Sequence, residues 1–131
     1  MKVLALDYGR ARTGVAVSDP TGALARPLAV VERAATPDGL ERIAAIVRRE
    51  EPDRVVVGLP LTLRGNEGEQ AAETRAFIEA LERVLGVPVE SFDERFTTKL
   101  AEAQPSEAPP DAVAAAHLLS TYLGWKSTLP R

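Results

Sequence analysis

The 131-residue sequence contains no cysteine, so it can build no disulfide scaffold, no thiolate zinc site and no cysteine nucleophile. Nothing in it asks for an oxidising compartment. No apolar run approaches the length needed to span a bilayer, and a carboxylate at position 7 comes too early for a secretory hydrophobic region. A cytoplasmic protein with no membrane partner is expected. An excess of positive charge is also missing. The 16 Lys and Arg against 19 Asp and Glu leave a net charge of −3, which excludes holding nucleic acid by global attraction, because phosphate neutralisation drives that affinity. Any contact with nucleic acid must use a local basic patch or bound divalent cations. Histidine occurs once, as His117, two turns inside a predicted helix, where packing or partial exposure is the better reading. There is no internal repeat, low-complexity tract or second domain. The chain reads as one domain over 1–131, long enough to bury about two thirds of the surface it exposes when unfolded.

What is present begins with three strand-like runs separated by turns: Val3 to Leu6, Gly14 to Val17, and Ala29-Val30-Val31 after Pro27. Gly9-Arg10-Ala11-Arg12 and Asp19-Pro20-Thr21-Gly22 carry turn chemistry, which predicts an antiparallel three-stranded meander. The hydrophobic period then changes. Leu40, Ile43, Ala44, Ile46 and Val47 recur at helical spacing with Glu41, Arg42, Arg48 and Arg49 opposite, ending near Glu51-Pro52. Asp53 to Pro60 is β-branched without polar alternation, as in a strand buried on both faces. A second helix follows over Gln70 to Leu85 with Gly86 as its C-cap, then a strand over Val87 to Phe92. The proline-rich stretch Lys99 to Pro110 predicts a short turn of helix and a mobile loop, and Asp111 to Leu123 an alanine-rich helix ending at Gly124. Strand-helix-strand units demand parallel pairing through right-handed crossovers. The expected fold is therefore α/β and ribonuclease H-like: a mixed five-stranded sheet, made of the antiparallel meander plus two parallel strands, with helices on both faces.

Three acids stand where chemistry would gather. Asp7 leaves the first strand beside glycines, Glu94 follows the last strand, and Asp111 opens the last helix. Each also fits an ordinary role, Asp7 in a turn, Glu94 in solvent and Asp111 as an N-cap. Functional groups in open α/β sheets collect at strand ends, and if these three converge they form a set of hard oxygen ligands suited to Mg²⁺ or Mn²⁺. Two such ions about 3.5–4 Å apart would activate a water and stabilise the leaving oxygen of a phosphodiester. Arg10 and Arg12 in the first turn, Arg64 after the fourth strand, and Arg95 and Lys99 after Glu94 could meet a phosphate backbone locally. For Arg12 and Lys99, a role as solvated turn residues or as partners of nearby carboxylates is favoured. Thr97 and Thr98 fit a capping role better than phosphate contact, though both roles stay open.

The motifs Leu6-Asp7-Tyr8-Gly9 with Gly14 to Asp19, Val57-Gly58-Leu59-Pro60 with Gly65, Asp93 to Thr98, and Asp111 with Ala114-Ala115 together resemble the YqgF family, also called RuvX. That family comprises pre-16S ribosomal RNA nucleases that are Holliday junction resolvase-like. The resemblance covers nearly the whole chain. It implies the ribonuclease H-like fold and a divalent-metal nuclease site at Asp7, Glu94 and Asp111, with Asp93 as a substitute for Glu94 because neighbouring strand residues face opposite ways. Unlike RuvC resolvases, which the family resembles, the fourth strand ends in Gly58-Leu59-Pro60 and offers no acid, so the middle carboxylate must come from Asp93-Glu94. The segment between Thr98 and Asp111 is shorter than usual for the family.

The leading expectation is an endonuclease for structured nucleic acid, precursor ribosomal RNA or branched DNA, working as a monomer or homodimer. Cutting a junction symmetrically needs two sites and so at least a dimer. Two other classes compete. The turn from Asp7 to Gly14 also resembles the phosphate hairpin of actin-like ATPases, although those close two domains around the nucleotide. A non-catalytic RNA-binding or transcription-linked factor on the same fold is the remaining alternative.

Overall fold

A computed structural model describes residues 1–60, 68–94 and 107–128. The chain runs β1 (Val3–Asp7), β2 (Arg12–Ser18), β3 (Ala25–Glu32), α1 (Pro37–Glu50), β4 (Arg54–Leu59), α2 (Glu69–Val84), β5 (Val89–Asp93) and α3 (Pro110–Ser127). The sheet order is β3-β2-β1-β4-β5. β1 pairs antiparallel with β2, which pairs antiparallel with β3. β1 also pairs parallel with β4, and β4 with β5. This is the mixed five-stranded sheet expected, with the apolar strands β1 and β4 inside it.

Strand alternation divides the core into two layers. Leu4, Leu6, Val55 and Val57 face Ile43 and Val47 of α1 and Phe77, Ile78 and Leu81 of α2. Val3, Ala5, Ala16, Val56 and Phe92 face Ala115, Leu118, Leu119 and Tyr122 of α3. Helices therefore cover both faces. β3 starts earlier than its β-branched residues suggest and contains Pro27. An edge position tolerates a residue that cannot donate to the ladder, and the register shifts between Val15 and Ala16 opposite it.

The helix ends follow local chemistry, with two departures from expectation. Thr36 caps α1 by accepting from the Gly39 N–H at 3.1 Å, and Glu51 closes it with φ 51° ahead of Pro52. α2 stops at Leu85, whose extended backbone is the cap, so Gly86 lies beyond it. α3 does not end at Gly124 but continues to Ser127. A glycine costs a helix about 1 kcal/mol, and here that cost is met by Trp125, whose ring packs 5.4 Å from Phe92 and 6.0 Å from Tyr122. No helix among the described residues is long and apolar enough to cross a membrane.

Candidate active site

The layering decides which acids can meet. Asp7 follows Val3 and Ala5 in the alternation of β1 and so lies on the α3 side of the sheet. Glu94 stands two residues after Phe92, on that same side, while Asp93 belongs to the opposite face. The neutral Glu94 carboxyl donates a hydrogen bond to Asp7, and its pKa is raised to about 7. Burial is the largest cause, followed by the charge of Asp7, that hydrogen bond, and the charge of Asp93. Two acids from strands separated by β4 are thus hydrogen-bonded to each other at the sheet's end.

Missing side chains make this approach possible. A β-carbon on Gly58 of β4 would lie 2.6 Å from Oε1 of Glu94. Gly14 of β2, the register partner of Asp7, faces the start of α3 so closely that a β-carbon would lie 1.8 Å from the Asp111 carbonyl oxygen. These two strand glycines admit the Glu94 carboxyl and the first turn of α3 to either side of Asp7. Their spacing from Val56 and Ala16 carried that signal, but only the sheet order shows what occupies the space.

Asp111 is not the N-cap of α3. Pro109 holds that position, Pro110 begins the helix, and the Asp111 side chain is left to pair with Arg12, Nε to Oδ2 at 3.1 Å. Its backbone is therefore brought to the site while its carboxylate turns to a cation on β2. Among the described residues, no three acidic or histidine side chains form a group that could hold a metal ion. Of the three expected acids, Asp7 and Glu94 are brought together, whereas the Asp111 carboxylate is engaged by Arg12.

Arg10 also answers a carboxylate. It pairs with Glu73 of α2, Nε to Oε2 at 3.3 Å with a closer contact through Nη2. Arg64, Arg95, Thr97, Thr98 and Lys99 lie outside the described residues. His117 is half-buried on α3, with Nε2 buried and lacking a hydrogen-bond partner among the described residues. On the other face of the sheet, beside the end of β1, a cleft of about 310 Å³ is lined by Tyr8, Gly9, Arg10, Glu69, Gln70 and Glu73. The sequence reading had no sign of it, because Tyr8 and the start of α2 are sixty residues apart.

A five-stranded sheet in this order, with paired carboxylates at the ends of β1 and β5 and a helix start beside them, defines an α/β protein of the ribonuclease H-like class. The chain belongs to the RuvX family, whose model, described as Holliday junction resolvase, matches residues 1–124. A relative from Anaeromyxobacter sp. (strain Fw109-5), named as a proposed pre-16S rRNA nuclease, is 45% identical over 132 residues, covering 94% of this chain and 96% of its own. One from Chloroflexus aggregans, named alike, is 42% identical and is covered to 92%, as is this chain. In three dimensions the chain is similar to Thermus thermophilus RuvC in complex with a Holliday junction substrate, with a TM-score of 0.60 at 22% identity, covering 98% of this chain and 96% of that one. That likeness shows the ribonuclease H-like fold.

Proposed function

We propose that the chain acts as one ribonuclease H-like unit, a divalent-metal-dependent endonuclease that cuts structured nucleic acid, with precursor 16S ribosomal RNA as its first substrate and branched DNA as the second. The observation that carries this reading is the hydrogen-bonded approach of the Asp7 and Glu94 carboxyls at the end of the sheet, with Gly58 leaving room for it. Burial first and the charge of Asp7 second keep Glu94 protonated, and a Mg²⁺ or Mn²⁺ ion would answer the same need with these oxygens as ligands. Asp7 and Glu94 would hold such an ion, and Asp111 would join them by exchanging Arg12 for it. Asp93, on the other face, is the weaker candidate. When bound, the cation supplies Lewis acidity to the scissile phosphate and to the attacking water.

The side chains have their own tasks. Glu94 would have to give up its proton before the pair could hold an ion. Arg12, freed from Asp111, is placed to meet a phosphate oxygen beside the cut. Arg10, Arg64, Arg95 and Lys99, with the hydroxyls of Thr97 and Thr98, would extend that grip along the strand. The order of substrates rests on the relatives of 42–45% identity, which carry the ribosomal RNA name, against RuvC at 22%. A cytoplasmic location and a monomer or homodimer accord with this task.

The test is cleavage of precursor 16S RNA, single-stranded RNA and a four-way DNA junction by the wild type and Asp7→Asn, each with Mg²⁺, Mn²⁺ or chelator. Cleavage of precursor RNA that needs the metal and is lost in a folded Asp7→Asn is the expected result. Equal behaviour of the two proteins would leave a non-catalytic binder in its place.

A further inference from the structure

Asp7 and Tyr8 are consecutive, but strand geometry sends them to opposite sides of the sheet. Asp7 meets Glu94 on the α3 side, whereas Tyr8 packs with the layer of α1 and α2. There its ring stacks on the buried Phe77, centroids 4.5 Å apart and planes 26° from parallel. Its remaining surface borders the cleft shared with Gly9, Arg10, Glu69, Gln70 and Glu73. Resting on the proposed nuclease function, a strand that crossed the end of the sheet with a phosphate at Asp7 would carry a neighbouring nucleotide past this cleft.

We infer that the cleft between Tyr8 and the first turn of α2 is a base-reading subsite that takes one unstacked guanine next to the scissile phosphate. An aromatic ring fixed from behind is a stacking platform for any base. The polar lining then selects. Glu73 is occupied by Arg10, which leaves the Glu69 carboxylate and the Gln70 amide as the readers. A carboxylate offers two acceptor oxygens side by side. Guanine alone among the bases presents two adjacent donor groups on one edge, its ring N–H and its exocyclic amine. Adenine and cytosine offer a single amine, and uracil a single ring N–H. The Arg10–Glu73 pair lines the same cleft. Acidic lining that would repel a phosphate is thereby consistent with a base as the occupant.

The experiment reads binding separately from cleavage. Full-length protein is titrated, without divalent metal, into labelled oligouridine carrying one central guanosine, inosine or adenosine. The wild type should prefer guanosine to the other two by at least about fivefold, the discrimination expected of a two-bond contact. Inosine is decisive because it lacks only the exocyclic amine. Glu69→Gln should bind all three alike, since an amide puts a donor against a donor. Tyr8→Leu should weaken all three by about fivefold or more, with its folding checked by urea denaturation. The Glu69 variant, changed at an exposed helix start, keeps the test valid if Tyr8→Leu unfolds. Equal wild-type affinity for guanosine and inosine, no binding at all, or preference retained in Glu69→Gln would overturn the subsite. A guanosine preference without metal-dependent cleavage would sink the nuclease reading and leave the subsite standing. Cleavage without that preference would do the reverse.

Discussion

A β-carbon at Gly58 would stand 2.6 Å from Oε1 of Glu94, 2.9 Å from its Cγ and 3.0 Å from Cδ2 of Leu118. The residue that offers no acid at the end of β4 is thus the one that makes room for the acid after β5. Gly58→Ala has to push the Glu94 carboxyl from Asp7, because Leu118 closes the other side. The fold should survive, since the nearest atoms belong to side chains. Metal-dependent cleavage should fall about a hundredfold, the scale expected when a reacting group moves by about 1 Å. Steady-state cleavage alongside a thermal melt checks both halves.

Glu94 sets a pH dependence in the metal-free protein. Its pKa is raised from 4.5 to about 7, so its neutral form is the one the fold accommodates. Stability from this group is complete below about pH 4.5 and is lost as pH rises through about 7. With solvent screening around the exposed part of the side chain, this contribution is on the order of 1–2 kcal/mol. Glu94→Gln should therefore be more stable than the wild type at pH 8 and equal to it at pH 4. Added Mn²⁺ should raise the wild-type melting temperature at pH 8 and leave Glu94→Gln nearly unmoved. Denaturant titrations at the two pH values, with and without Mn²⁺, measure this.

Arg12→Gln frees the Asp111 carboxylate. The Arg12–Asp111 pair is substantially exposed on both sides, so its loss should change stability by less than about 1 kcal/mol. Metal affinity in the absence of nucleic acid should increase, because the cation no longer competes with Arg12 for Asp111. Asp111→Asn should weaken it. Calorimetric Mn²⁺ titration of the three proteins distinguishes a recruitable third ligand from an acid that serves only its ion pair, for which both variants would match the wild type.

At the opposite end of β4, Arg54 donates to Glu90 at 2.6 Å and to the Tyr122 hydroxyl at 3.1 Å, and that hydroxyl donates to Glu90 at 3.1 Å. Tyr122→Phe keeps the ring on Phe92 and removes the bridge. It should cost about 0.5–1.5 kcal/mol in urea denaturation and leave cleavage at the wild-type rate, because this network lies a strand's length from Asp7.

The elements themselves were legible wherever a strong period met clear punctuation. Leu40 to Val47 could only be an amphipathic helix before Pro52, and Val55-Val56-Val57 only a strand covered on both faces. Boundaries slipped where tertiary packing outweighed local signals, as at Gly124, carried inside α3 by the Trp125 ring, and at Pro27, accepted by an edge strand. The acids were identifiable by type and by position beside strand ends. Their orientation was not. Asp111, a candidate ligand whose ordinary alternative was a helix cap, is turned to Arg12.

What the residues alone determined is a set of local preferences: which stretches extend, which coil, and the alternation that sends Asp7 and Tyr8 apart. Whether Glu94 or Asp93 reaches Asp7, why Gly14 and Gly58 lack side chains, and how Tyr8 meets Glu69 were decided only by sheet order and helix packing. Local preference acts over a few residues along the chain, whereas these relationships join residues thirty-six to ninety-seven positions apart, and only burial of two apolar layers on one sheet brings them together.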